Sequence, residues 1–160
     1  MMRAGRMMKV ADEMTKFKIE LIALQEIRWH GSGKIEKKDF SVLYSGPEYR
    51  TGQGGVGFMI GKKLKSSILG FYPAGSRLCR IRIKGKFRNI SIVSVYAPTE
   101  EGDENEKDSF YEALERECRM VPKHDMLIVI GDLNAQIGKE DFLNTVAGKC
   151  TIHDVTNENG

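Results

Sequence analysis

The sequence predicts an α+β protein in which two packed, mostly antiparallel β-sheets are flanked by helices. Three observations point there. An amphipathic helical stretch near the N-terminus and a second one past the middle enclose a long series of short β-rich runs. Those runs follow one another through Gly, Pro and Lys turns, as antiparallel strands do. They are also too many in succession for a doubly wound nucleotide fold, where strand and helix alternate.

The elements follow in order. Residues 3–17, "RAGRMMKVADEMTKF", set Met7, Val10, Ala11, Met14 and Phe17 at helical spacing with charged residues between them, which reads as a helix lying on a sheet. "KIELIALQE" (18–26) reads as a buried strand, because Ile19, Leu21, Ile22, Ala23 and Leu24 leave little polar face. A Gly-rich loop follows, and then strands at 40–45, 54–61, 66–72, 77–84 and 87–97, with Lys84-Gly85-Lys86 as a hairpin tip. Residues 106–120 carry Phe110, Ala113, Leu114 and Cys118 at helical spacing, with acidic residues in the first turn where the helix dipole favours them. "MLIVI" closes the series as a strand over 125–130 that breaks at Gly131.

At 160 residues, with 41% hydrophobic and 29% charged residues, the chain is the size of one domain with an ordinary globular composition. Its net charge of +3 hides an asymmetry: residues 77–88 hold six basic side chains, and 99–108 hold six acidic ones against one lysine. Cys79, Cys118 and Cys150 are odd in number and widely spaced, which argues against a disulfide framework or a zinc site and for a reducing compartment. The N-terminus is too polar and basic for a signal peptide, and "MLIVI" is far too short for a membrane span. An intracellular protein, nuclear or cytoplasmic, is expected, with no membrane partner.

Three strands end in polar residues that a strand does not need: Glu26 after "LIALQ", Tyr96 in "SVYAPT", and Asp132 with Asn134 in "GDLNAQIG". If those ends share one rim of the sandwich, one carboxylate can hold Mg²⁺ and another can orient or deprotonate a water. The amide and the phenol can then hydrogen-bond phosphate oxygens as charge builds on them. The plainer alternative is that Asp132 and Asn134 are turn residues and Glu26 a solvated strand end.

"LQEIRW", "GGVGFMI", "VSVYAPT" and "GDLNAQIG", in this order and at these separations, resemble the endonuclease/exonuclease/phosphatase superfamily, whose fold is that of DNase I. The resemblance is greatest to the endonuclease domains of RTE-type LINE retrotransposons and the related craniofacial development protein 2-like group. It implies that Glu26 is the metal-binding glutamate, Tyr96 the phosphate-contacting tyrosine, Asp132 the catalytic aspartate and Asn134 its partner at the phosphate. It implies Mg²⁺-dependent hydrolysis of a DNA phosphodiester, with a 3′-hydroxyl left to prime reverse transcription, in a longer polyprotein that includes a reverse transcriptase. "VYAPT" favours this branch over a phosphatase acting on small phosphoesters or inositol lipids.

The departures from the family carry expectations of their own. The family places a strand with an active-site Asn before the first helix and further strands with an Asp and an Asp-His pair after the last motif, and residues 1–160 show neither. They are therefore expected to be a partial domain, truncated at both ends, that binds Mg²⁺ weakly or not at all. A catalytically inactive, retroelement-derived fragment or nucleic-acid-binding module is the alternative from another class. His30, His124 and His153 offer no replacement imidazole; His153 adjoins Asp154, but adjacent residues do not form the oriented pair a base needs.

Two further features are weighed against plainer readings. "GQGGVG" (52–57) matches a dinucleotide-binding pattern only formally, since a strand follows it instead of a helix; its glycines fit a close approach between strands or to a ligand. In 78–84, apolar Cys79, Ile81 and Ile83 alternate with Arg80, Arg82 and Lys84, so one face is buried and the other positive. That positive face reads first as a solvated surface, and second as a nonspecific attractor of nucleic-acid phosphate. Arg28 and Trp29 are placed to touch DNA beside the metal, the plainer reading being that a lone Trp sits in a core.

Overall fold

The computed structural model describes residues 4–140, 151–157 and 159–160. Helix α1 (Ala4–Phe17) leads into β1 (Leu21–Leu24), β2 (Ser32–Glu36), β3 (Phe40–Ser45) and β4 (Val56–Gly61). A short 3₁₀ turn at Lys65–Ser67 precedes β5 (Ile68–Pro73), β6 (Leu78–Ile83) and β7 (Ile90–Tyr96); α2 (Glu104–Arg119) and β8 (Met126–Asp132) follow. The first four strands form an antiparallel sheet in the order β1-β4-β3-β2, and the other four form a sheet in the order β5-β6-β7-β8. Within that second sheet only β7 and β8 run parallel, because α2 carries the chain back between them.

The layers are helix, sheet, sheet, helix. Leu43, Val56, Phe58 and Ile60 meet Cys79, Ile81, Ile83 and Ile92 between the sheets. Burying each large aliphatic or aromatic side chain there contributes roughly 1.5–3 kcal/mol. On the outer face of the first sheet, Met7 and Met14 of α1 pack on Phe40, Val42 and Met59. On the outer face of the second, Phe110 of α2 packs on Leu78, Val93, Val95 and Ala97. The α+β sandwich expected from the strand succession is thus the one formed.

Helix α1 ends in a Schellman turn. Ile19 N–H donates to the Met14 carbonyl and Lys18 N–H to that of Thr15, with Lys18 at φ 55° where a glycine is more usual. Helix α2 starts on Glu104 and Glu106 and ends on Arg116 and Arg119, charges that oppose its dipole at both ends.

The structure differs from the sequence reading in four places. The residues taken as a Gly-rich loop after Glu26 include β2, a fourth strand paired along its length with β3. It was missed because "SGKIE" has a single apolar side chain and lies at a sheet edge, where no core imposes alternation. The first strand is only Leu21–Leu24, so Gln25 and Glu26 stand beyond it. The connection between β6 and β7 is a six-residue loop, 84–89, and not a tight tip. Finally, β8 runs on through Gly131 and Asp132, which pair with Val95 and Tyr96. It is an edge strand among the described residues, with Met126, Leu127 and Val129 exposed, and not the buried strand that its composition suggests.

Candidate active site

The polar residues beyond the strand ends converge. Glu26 lies in a backbone segment whose two outer members, Glu26 and Arg28, have φ values of 52° and 61°. Such left-handed conformations are uncommon for residues with side chains and persist only where surroundings hold them. Here Ile27 holds the segment: its side chain is fully buried, and its N–H donates to the Gly55 carbonyl at 3.0 Å while that of Arg28 donates to Gly54 at 2.8 Å. Gly54, Gly55 and Gly57 of "GQGGVG" make this approach possible. A Cβ on Gly57 would lie 2.2 Å from the Leu43 carbonyl oxygen and 2.9 Å from Ile27 Cδ1. They serve backbone packing between β3, β4 and the Glu26 loop, as the close-approach reading expects.

Tyr96 closes the gap from the other sheet. Its hydroxyl donates to Glu26 Oε1 at 2.7 Å, and Arg28 Nη2 donates to Glu26 Oε2 at 2.8 Å. The Tyr96 bond first, and the Arg28 bond next, hold the Glu26 carboxyl below its ordinary value of 4.5. The same bond to Glu26 raises the Tyr96 phenol, so it stays protonated and able to donate. Asp132 is register partner to Tyr96 across the parallel β7–β8 pair and adds to that rise.

Asp132 begins a turn that fixes Asn134. The Asn134 N–H donates to Asp132 Oδ1 at 2.9 Å, and its side-chain Nδ2 donates to the Ala97 carbonyl at 2.7 Å. Asn134 takes φ 48°, a conformation that Asn tolerates better than most residues. Two asparagines near the end of the sequence brace this turn: Asn157 Nδ2 and Asn159 Nδ2 both donate to the Asn134 carbonyl, and Asn159 Nδ2 also reaches that of Pro98. Glu26, Tyr96, Asp132 and Asn134 therefore lie at one rim of the sandwich, with the two carboxylates exposed and Tyr96 and Asn134 half-buried.

The other sequence candidates divide. Arg28 is bonded to Glu26, and Trp29 stands beside it, edge-on to Tyr44 with ring centroids 5.0 Å apart. The basic stripe is corrected by the structure. Arg80 is only 3% exposed, held under α2 by Glu117 at 3.3 Å and lying 4.0 Å above the Tyr72 ring. Arg82 makes a two-point bond to Asp125 at 2.7 and 2.9 Å, and Ser91 also donates to that carboxylate. Both arginines secure the outer face of the second sheet; Lys84 alone of the three is exposed. Burial also raises the Cys79 thiol, which keeps it protonated, and Cys150 lies outside the described residues.

Arg77 was not singled out from the basic stretch, yet it borders the site. It stacks 5.4 Å from the Tyr96 ring, donates to the Tyr96 carbonyl, and is clamped by Glu106 through two nitrogens at 2.6 and 3.1 Å. Nothing in its spacing separates it from its neighbours, since the partner that positions it is on α2. Of the histidines, His124 precedes β8 and is a full strand away from Asp132; His30 borders the Trp29 cleft; and beside His153, Asp154 is bonded to Lys139.

With this geometry established, the comparisons decide the family. The model for the endonuclease/exonuclease/phosphatase family matches residues 4–150. The chain belongs to that family. Craniofacial development protein 2 of Bos taurus is 31% identical over 141 residues, and that of Tragulus javanicus is equally so. Each match covers 88% of this chain and 24% of the relative, so the chain spans about a quarter of the length of these relatives. Among solved structures, the endonuclease domain of TRAS1, a telomere-specific non-LTR retrotransposon, superimposes with a TM-score of 0.54 at 19% identity, over 84% of this chain and 57% of that one. An endonuclease/exonuclease/phosphatase family protein from Leptotrichia buccalis gives 0.56 at 15% identity, over 84% and 63%. These two likenesses establish the DNase I-like fold. A hydrolase acting on phosphoesters is the coarse assignment that membership in the family supports.

The Glu26–Tyr96 bond yields a direct test. Because the folded-state value of Glu26 lies below 4.5, its ionised form favours folding above the ordinary carboxylate range, and that contribution is lost as the pH falls through the lowered value. Tyr96→Phe removes the largest cause, so the Glu26 carboxyl should titrate at a higher pH, nearer its ordinary value. Carboxyl-carbon NMR titration of both proteins measures the difference.

Proposed function

We propose that the rim site hydrolyses phosphodiester bonds in DNA with Mg²⁺, as part of a retrotransposon-type endonuclease domain. The observation that carries the reading is the joint placement of two exposed carboxylates, Glu26 and Asp132, around one tyrosine that bonds the first and pairs in register with the second. In this reading Asp132 orients an attacking water and accepts its proton, and Asn134 donates to the phosphate oxygens that gain charge; Tyr96, whose single O–H is given to Glu26 here, would turn it to phosphate when Mg²⁺ takes that carboxylate. One N–H of the Asn134 amide is engaged by Ala97, which fixes the orientation of the group and leaves the other for substrate.

The donor set fits Mg²⁺ and not a metal needing a full protein cage. Among the described residues no group of three His, Cys, Asp or Glu could hold an ion. Mg²⁺ needs no such group, since it binds through one or two carboxylates together with water and phosphate. Glu26, kept ionised and exposed, would be its protein ligand; when bound, the ion would neutralise charge on the phosphate and the leaving oxygen. Arg28 competes for the same carboxylate through Oε2. Calorimetry with the 160-residue chain should therefore show weak Mg²⁺ binding in the absence of nucleic acid, and tight binding would contradict the competition.

The same competition fits impaired activity in this chain. His124 is a strand away from Asp132, and Asp154 beside His153 is bonded to Lys139. A nucleic-acid-binding module without catalysis is favoured over the phosphatase reading by Arg28, which already occupies the metal-binding carboxylate. Nicking of supercoiled plasmid in Mg²⁺ separates these readings. Asp132-dependent nicking, in this chain or in one extended from the flanking coding sequence, supports the endonuclease; DNA binding without nicking in either supports the module.

A further inference from the structure

Beside the rim lies a cleft of about 390 Å³ that the proposed reaction does not use. Trp29, Tyr44 and Tyr49 supply aromatic walls, Pro47 an apolar one, and Arg28 and Arg50 flank them. Among the described residues no carboxylate lines it. Its size falls in the range of small-molecule sites. Trp29 is held in place by the edge contact with Tyr44 and by packing on the core beneath α1, whereas Tyr49 is 79% exposed and rests on no such core. One wall is thus fixed and the other open to solvent.

We propose that this cleft takes an unpaired nucleobase from the strand whose phosphate lies at Glu26. The proposal rests on the phosphodiester reading of the rim and names the substrate form it prefers. Arg28 links the two places: its guanidinium bonds Glu26 on one side and borders the cleft on the other. A nucleotide with its phosphate at the rim therefore has its base within reach of Trp29. Bases stack on aromatic faces whatever their sequence, and arginines beside the stack attract the adjoining phosphates. A base still paired inside a duplex cannot enter a side cleft, so the preferred nucleic acid is single-stranded or carries an extruded base. The absence of any acidic lining suits a polyanion.

Trp29 is the only tryptophan of the chain, so its fluorescence reports directly on the cleft. The chain is titrated at low salt, without Mg²⁺, with octathymidylate, with an abasic strand of the same length, and with a blunt duplex, while anisotropy of end-labelled strands measures binding. Octathymidylate should quench Trp29, and the abasic strand and duplex should bind with little quenching. Tyr49→Ala, at an exposed position, should weaken octathymidylate binding by about 5-fold or more and leave the circular dichroism spectrum unchanged. Equal quenching by the abasic strand, binding of octathymidylate without quenching, or an unchanged affinity in Tyr49→Ala would each overturn the proposal. So would quenching by a proline-rich peptide and not by octathymidylate, which would make the cleft a peptide site. Base binding is read without Mg²⁺ and so stands or falls without catalysis, whereas absence of Asp132-dependent nicking, in this chain or an extended one, counts against the rim reading.

Discussion

Asp132→Ala is expected to lower the rate of plasmid nicking by about 100-fold or more, in whichever length of the protein nicks DNA. Asp132 is exposed at the last position of β8, so its removal opens no cavity and should leave the melting transition little changed. The loss should therefore appear in the rate at saturating DNA and not in the amount of folded protein. It has two sources. The carboxylate that orients and deprotonates water is gone, and the bond from Asn134 N–H to Asp132 Oδ1 that shapes the following turn goes with it. Asp132→Asn separates them, because it keeps an acceptor for Asn134 but provides no base. If Asp132→Asn retains most of the rate, Asp132 shapes the turn and is not the base. Comparing the 160-residue chain with a version extended at both ends shows which length carries the activity.

Gly131→Ala should be a severely damaging methyl addition at the site. Gly131 has φ 142°, a conformation that side chains rarely adopt, and an added Cβ would lie 2.0 Å from the Val95 carbonyl oxygen. The obstacle is backbone, so no side chain can swing aside to relieve it. Backbone strain of this kind costs about 1–3 kcal/mol before the clash is counted, and relief requires the end of β8 to part from β7. Gly131 pairs with Val95, and the next residues in register are Asp132 and Tyr96, so the same movement takes the carboxylate away from the phenol. A lower melting temperature together with loss of nicking is expected, whereas Asp132→Ala should produce only the second. A Gly131→Ala protein that melts like the parent would show that β8 is not held as described.

Much of this protein follows from its sequence alone. Alternation in β6, with Cys79, Ile81 and Ile83 set against Arg80 and Arg82, and helical periodicity in α1 and α2 are local patterns, which a single chain displays without its partners. The residue types at the strand ends, a carboxylate, a phenol and a carboxylate with an amide, were legible for the same reason, as side chains that no strand requires. Tertiary structure alone decided where they meet. Glu26, just past β1, and Tyr96, at the end of β7, are 70 residues apart and next to different sheets, and their bond exists because the two sheets pack with those strand ends at one rim. It also decided the fate of the basic stripe: alternation showed that Arg80 and Arg82 leave the inner core, but Glu117 on α2 and Asp125 before β8 determine that they are paired beneath other elements. Strand β2, with one apolar side chain, exists through backbone pairing with β3, which leaves no mark on its composition. Local pattern fixes an element and its faces; the partner that occupies a face is set by long-range packing, and the candidate site is assembled from such partners.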